Sequence, residues 1–170
     1  MLRRLSGATL VAILTLLTLG AVPAVAFDRA ANEAKVLRLL NHARTSRGLA
    51  RLTVVTPLDR AALLHSRDML ARDYFSHSSL AGTTVASRAR RAGYSTSDCS
   101  QWTVGEVIAW GTSYKGTPEI VLRSWMRSKP HRSVILGKRW RDVGIGCSRG
   151  TYKGVPNVIM YTVDVGRRVQ

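Results

Sequence analysis

Three short stretches of this 170-residue chain each set one proton-transfer or metal-ligating side chain among small or turn-forming residues. They are YFSHSS (Tyr74 to Ser79) with His77, VGEVIAWG (Val104 to Gly111) with Glu106, and SKPHRSVIL (Ser128 to Leu136) with His131. Two imidazoles and a carboxylate form a donor set that zinc or another divalent ion uses when one coordination position stays open for water. The same groups can do general acid–base work without a metal. In a metal-dependent hydrolase, His77 and His131 would hold the ion and Glu106 would activate water. The chain has no HExxH helix and no serine nucleophile elbow, so a binding role ranks above peptidase or esterase turnover. Of the remaining histidines, His65 falls on an apolar helix face and reads as a core residue bonded to backbone. His42 is assigned no role.

Several elements have to bring these groups together. Val36, Leu40 and Ala43 recur at helical spacing, which predicts a helix over Glu33 to Arg47 with Gly48 as a left-handed stop. Thr56-Pro57-Leu58-Asp59 has the form of a helix start, with Thr56 as cap and Asp59 completing a capping box. Leu58, Ala62, His65 and Met69 line one face of that helix as far as Asp73. A shorter helix covers Thr84 to Ala92. A fourth opens at Thr117-Pro118-Glu119, turns Val121, Leu122 and Trp125 inward, and stops at Pro130. Strand patterns cover Val104 to Trp110, Val143 to Cys147 and Pro156 to Val165, with a hairpin loop over Ser148 to Gly154. Ile159, Tyr161, Val163 and Val165 alternate onto one face of the last. Helices first and an antiparallel sheet later predict an α+β domain. Trp102, Trp110, Trp125 and Trp140 read as packing residues, the first two flanking the proposed cleft.

The amino terminus reads as a leader. Arg3 and Arg4 precede the apolar run Leu10 to Leu19, and Ala24-Val25-Ala26 supplies the small-x-small cleavage pattern. A signal peptide over 1–26 and a single domain over 27–170 are therefore expected, with secretion and no later membrane-spanning segment. The chain carries 26 Lys and Arg against 10 Asp and Glu, a net charge of +16. Such an excess suits anionic neighbours, such as cell-wall polymer, acidic lipid or polysaccharide, and allows an adhesion or defence role through charge alone. An export signal argues against nucleic acid. RARR (Arg88 to Arg91) and KRWR (Lys138 to Arg141) read as solvated surface. Two cysteines in an exported chain predict a Cys99–Cys147 disulfide, worth about 4 kcal/mol for a loop of this length. No CxxC spacing favours zinc at the cysteines instead.

The order of several motifs resembles the CAP superfamily of cysteine-rich secretory, antigen 5 and pathogenesis-related proteins, in particular its bacterial secreted branch. The likeness runs from LLNHARTSRGLARL (Leu39 to Leu52) through HSRDMLARDYFSH (His65 to His77) and RRAGY (Arg90 to Tyr94). It continues through GEVIAWG and VLRSWMRSKPHRSVIL (Val121 to Leu136) to DVGIGC (Asp142 to Cys147) and the final strand. The resemblance implies an α-β-α three-layer sandwich with a central antiparallel sheet. It also implies a cleft where two histidines and two glutamates gather, with His77, Glu106 and His131 in three of those places and, in some members, a zinc or other divalent ion. The place of the second glutamate, three residues after Trp125, is Ser128 here. Val107 follows Glu106 where asparagine is usual. Lipids, sterols or wall components are the ligands the resemblance suggests.

Overall fold

A computed structural model describes residues 27–95 and 99–169. The leader expected over 1–26 lies outside the described residues. Helix α1 spans Arg29–Thr45. It begins four residues earlier than its apolar stripe suggests because the Asp28 side chain caps it, accepting from Ala31 N at 3.0 Å. Gly48 follows with a φ of 68°, the left-handed stop expected. A two-residue strand β1 (Thr53–Val54) leads into α2 (Thr56–Ala71). Thr56 does not cap α2: Val55 holds the cap position without a side-chain bond, and Pro57 sits in the first turn. Asp59 reaches outward instead and accepts from Ile145 N at 2.7 Å.

Helix α3 (Val85–Arg91) is capped by Thr84, which accepts from Ser87 N. Strand β2 (Gln101–Thr112) follows, then a short 3-10 turn and helix α4 (Pro118–Arg127). Pro130 does not close α4. The helix ends at Arg127, Ser128 is extended with a ψ of 119°, and Pro130 lies in the first turn of a new helix α5 (Lys129–Ile135). A proline lacks the N–H that a first turn leaves unpaired in any case, so it starts a helix as readily as it ends one. His131 is thus helical, not a loop residue.

Strands β3 (Asp142–Tyr152) and β4 (Val155–Val169) complete a sheet of order β1-β3-β4-β2. The expected hairpin loop shrinks to Lys153 and Gly154, with φ of 48° and 76°. Two left-handed residues make the turn whose twist matches paired strands, so both strands extend into the predicted loop. β3, β4 and β2 are antiparallel, and β1 adds a short parallel edge.

Alternation along β4 separates two faces. Tyr161, Val163 and Val165 join Val143, Ile145 and Val107 against Val36 and Leu40 of α1, Val121 and Trp125 of α4, and Ile135 of α5. Val158 and Met160 face the other way, toward Met69 of α2. The three layers are therefore α1/α4/α5, the sheet, and α2/α3, as the α-β-α expectation has it. Buried Arg44 ties the first layer together. Its guanidinium donates to the carbonyls of Ala50, Ile135 and Gly137 at 2.9, 2.7 and 3.1 Å, which pins the C-terminal end of α5 to α1.

The Cys99–Cys147 disulfide is not formed. Cys147 is a buried free thiol on β3, opposite Tyr161 and in contact with Arg29 O at 3.7 Å. Cys99 precedes Gln101, the partner of Val169 at the far end of β4. The stretch of β4 between Tyr161 and Val169 covers about 26 Å at ~3.3 Å per residue. A bridge needs Cα atoms within about 7 Å. Burial, with the Glu33 charge beside it, pushes the Cys147 thiol up to about 12.

Candidate functional site

Glu106 occupies the middle of β2, an edge strand, and pairs with Asp164 of β4. Val107 points into the apolar layer, so strand alternation turns Glu106 toward α2 and α3. There its side chain is only 2% exposed and three cationic or ionisable groups surround it. His77 Nδ1 lies 2.7 Å from Oε1. Arg88 Nη2 donates to Oε2. His65 Nε2 stands 3.9 Å from the same oxygen while bonding Ser76 O at 2.9 Å. His65 is thus the backbone-bonded core histidine its helix position indicates, and it also borders the carboxylate.

Arg88 was legible only as part of the basic cluster RARR, yet its side chain is 9% exposed and belongs to the interior. Its Nη1 donates to His77 O and Thr83 O, both at 3.0 Å, so one guanidinium fixes Glu106 and the loop that carries His77. The helical register of α3 was the available signal, because Ala89 beside it is fully buried. Asp164 was missed as well. Once Val163 and Val165 are assigned to the apolar face, Asp164 has to face α2, where it is entirely buried. Its oxygens meet no donor among the described residues and lie against Glu106. Two carboxyl groups in that position need a proton between them.

The charge states follow. Burial and the adjacent Glu106 charge push the Asp164 carboxyl well above the usual range, so it carries the proton. Burial also acts to raise Glu106, but the His77 bond and the charge of Arg88 outweigh it, and Glu106 titrates below the usual range. The hydrogen bond to Glu106 lifts the His77 imidazole above its ordinary value against partial burial. Burial depresses His65. His131 is also depressed, by burial first and then by the positive charge of His77. His131 Nδ1 is buried and has no hydrogen-bond partner among the described residues.

The structure therefore brings His77 and Glu106 into direct contact, while His131, on α5, is linked to them only by feeling the His77 charge. The residues present do not fit a divalent ion. Both Glu106 oxygens are engaged, one by His77 and one by a guanidinium, and an arginine-paired carboxylate does not exchange a full positive charge for a ligand bond at no cost. Among the described residues, no three His, Cys, Asp or Glu side chains are grouped to hold a metal ion. Ser128 contributes the backbone break between α4 and α5 and no carboxylate. Trp102 and Trp110 share the Glu106 face, but each is four residues away along β2, about 13 Å. Trp102 packs edge-on against Tyr94 and Trp110 against Tyr152. Trp125 and Trp140 lie in the apolar core.

Residues 37–164 match the profile of the cysteine-rich secretory protein family, CAP. The chain is 34% identical over 116 residues to the uncharacterised protein YkwD of Bacillus subtilis, covering 68% of this chain and 42% of that protein. It is 32% identical over 121 residues to the uncharacterised membrane protein YlbC of the same organism, covering 71% and 33%. The chain spans less than half the length of these relatives. Among solved structures, an extracellular SCP-domain protein from Bacillus anthracis superposes with a TM-score of 0.67 at 25% identity, over 82% of this chain and 41% of that one. An outer surface protein from Borrelia burgdorferi gives the same TM-score at 19% identity, over 84% and 97%, which shows the fold alone.

Proposed function

From the premise that the chain belongs to the cysteine-rich secretory protein (CAP) family, we propose that it is an extracellular binding protein. Its cleft at the β2 edge takes a small hydrogen-bonding ligand between His77 and His131. The observation that carries this reading is the buried, unpartnered Nδ1 of His131, within electrostatic reach of a histidine held in place by Glu106. A buried polar atom without a partner costs about 1–3 kcal/mol, which a ligand group bonded to it recovers. His77, 56% exposed at its side chain, supplies the solvent-facing arm. Glu106 and Arg88 hold that arm and do not meet the ligand. An extracellular location accords with the leader pattern and with the printed descriptions of the Bacillus anthracis and Borrelia structures. No helix among the described residues is long and apolar enough to cross a membrane. Turnover forms no part of the proposal.

Histidine ring NMR tests it directly. A fragment set of carboxylates, amides and sugars should contain members that shift the His77 and His131 ring signals saturably, and His131→Ala should abolish the response. Exposed His42 is the internal control. If no fragment moves His77 and His131 more than His42, the cleft is not a ligand site.

A further inference from the structure

A concavity lies between α2, α3 and the loop that carries Ser79, Ala81 and Thr83. Its volume is about 390 Å³, within the ~300–1,000 Å³ usual for small-molecule sites. His77, Glu106 and His131 take no part in it. Arg60 and Arg72 from α2 and its end, and Arg88 and Arg91 from α3, contribute four guanidinium groups to its wall. The lone acid is Asp68, and its carboxylate is already taken by Tyr74 Oη–H and, at 3.6 Å, by Arg72. The side chains of Arg60 and Arg91 make no hydrogen bond or ion pair with any described residue. Arg88 Nε is buried and unpartnered, on a side chain that is 9% exposed.

Arg88 is paired with Glu106 and Arg72 with Asp68, which leaves Arg60 and Arg91 as two uncompensated charges on the wall, and an anion seated between them relieves their repulsion. A carboxylate brings a single charge, whereas a phosphate monoester brings about −1.5 to −2 at neutral pH with three acceptor oxygens. Guanidinium forks match such oxygens in pairs. Ala61, Leu64, Ala81 and Ala92 give the wall an apolar part beside His65, Ser79 and Thr83; Leu64 is 55% exposed, and Leu80 on the adjoining loop is 60% exposed. We propose that this pocket binds a phosphate ester carrying a short apolar group, the phosphate on Arg60, Arg88 and Arg91 and the apolar part on Leu64 and Leu80. The ester is either a lipid headgroup or a soluble metabolite. The site includes neither His77 nor His131, although Arg88 and His65 in its wall also border Glu106.

Calorimetry with monomeric short-chain phosphatidic acid and with inorganic phosphate tests this on the full chain. The ester should bind saturably and more tightly than inorganic phosphate. The pair Arg60→Ala with Arg91→Ala, both exposed and outside any internal bond, should weaken it about tenfold or more. The pair Arg38→Ala with Arg123→Ala, which removes the same charge from the opposite layer, should leave it unchanged. Equal loss in the two pairs, equal affinity for ester and inorganic phosphate, or no saturable binding each overturns the proposal. Retention on phosphatidylcholine vesicles containing phosphatidic acid, dependent on Arg60 and Arg91, identifies a lipid headgroup. Monomer binding without vesicle retention identifies a soluble ester. His131→Ala should leave every arm unchanged.

Discussion

The two faces of one sheet are closed by different means. Toward α1, α4 and α5 the strands present Val143, Ile145, Val163 and Val165, and side chains interdigitate with Leu40, Val121 and Trp125. Toward α2 the same strands present Gly144, Gly146, Thr162, Asp164 and Glu106, and α2 descends until its backbone touches the glycines. A Cβ on Gly146 would lie 2.1 Å from Leu63 N, and one on Gly144 would lie 2.0 Å from the Leu58 carbonyl carbon. Ser66 of α2 then donates to Gly146 O and to Thr162 Oγ1, both at 2.9 Å. The first face is stabilised by apolar area. The second is stabilised by close contact and paired charge, and it holds the buried polar groups Glu106, Arg88 and Asp164.

Adjacent residues on β2 give the sharpest contrast. Glu106→Gln leaves the Arg88 guanidinium buried without a counter-charge, an expected loss of about 3–5 kcal/mol in denaturant unfolding. Val107→Ala, one residue on and facing the other layer, should cost about 2 kcal/mol. A Glu106→Gln loss smaller than that of Val107→Ala would break the distinction drawn between the faces.

Glycines compare the faces at a smaller scale. Gly146→Ala forces α2 backbone to move and should destabilise by about 1–3 kcal/mol or more. Gly105→Ala on the apolar side meets side-chain atoms of Trp140, Val134 and Val165 at 3.2–3.4 Å, which can shift slightly, so its effect should stay below about 1 kcal/mol. Thermal unfolding of the two variants ranks them, and similar melting temperatures would remove the case for backbone contact.

The last expected effect has the opposite sign. Asp164 holds its proton in the folded state to a higher pH than in the unfolded chain. Unfolding therefore releases a proton, and stability declines as pH rises from the unfolded carboxylate value, near 3.9, toward the folded one. Asp164→Asn removes that slope while keeping shape, so the variant should be the more stable protein near neutrality, with its advantage shrinking in acid. Urea unfolding at several pH values checks it. A difference that does not vary with pH would mean that Asp164 is ionised in the fold.

Much of this was legible in the order of residues. The period of Val36, Leu40 and Ala43 located α1, and the alternation Tyr161, Val163, Val165 fixed which face of β4 is apolar. His77, Glu106 and His131 stood out by type and by their small neighbours. Pro130 was ambiguous because the same missing N–H that ends one helix suits the first turn of the next. The cysteine expectation failed for a related reason: an even count says nothing about where along a sheet each residue falls.

Periodicity and composition by themselves determined the element types, the apolar face and the excess of positive charge, because those depend on neighbours along the chain. Tertiary structure alone decided that Arg88 turns inward to Glu106, that Asp164 stacks behind that carboxylate, and that four arginines from two helices surround one pocket. Each of those outcomes rests on the approach of α2 and α3 to the sheet. That approach brings together groups distant in sequence, and desolvation by burial then sets their charge.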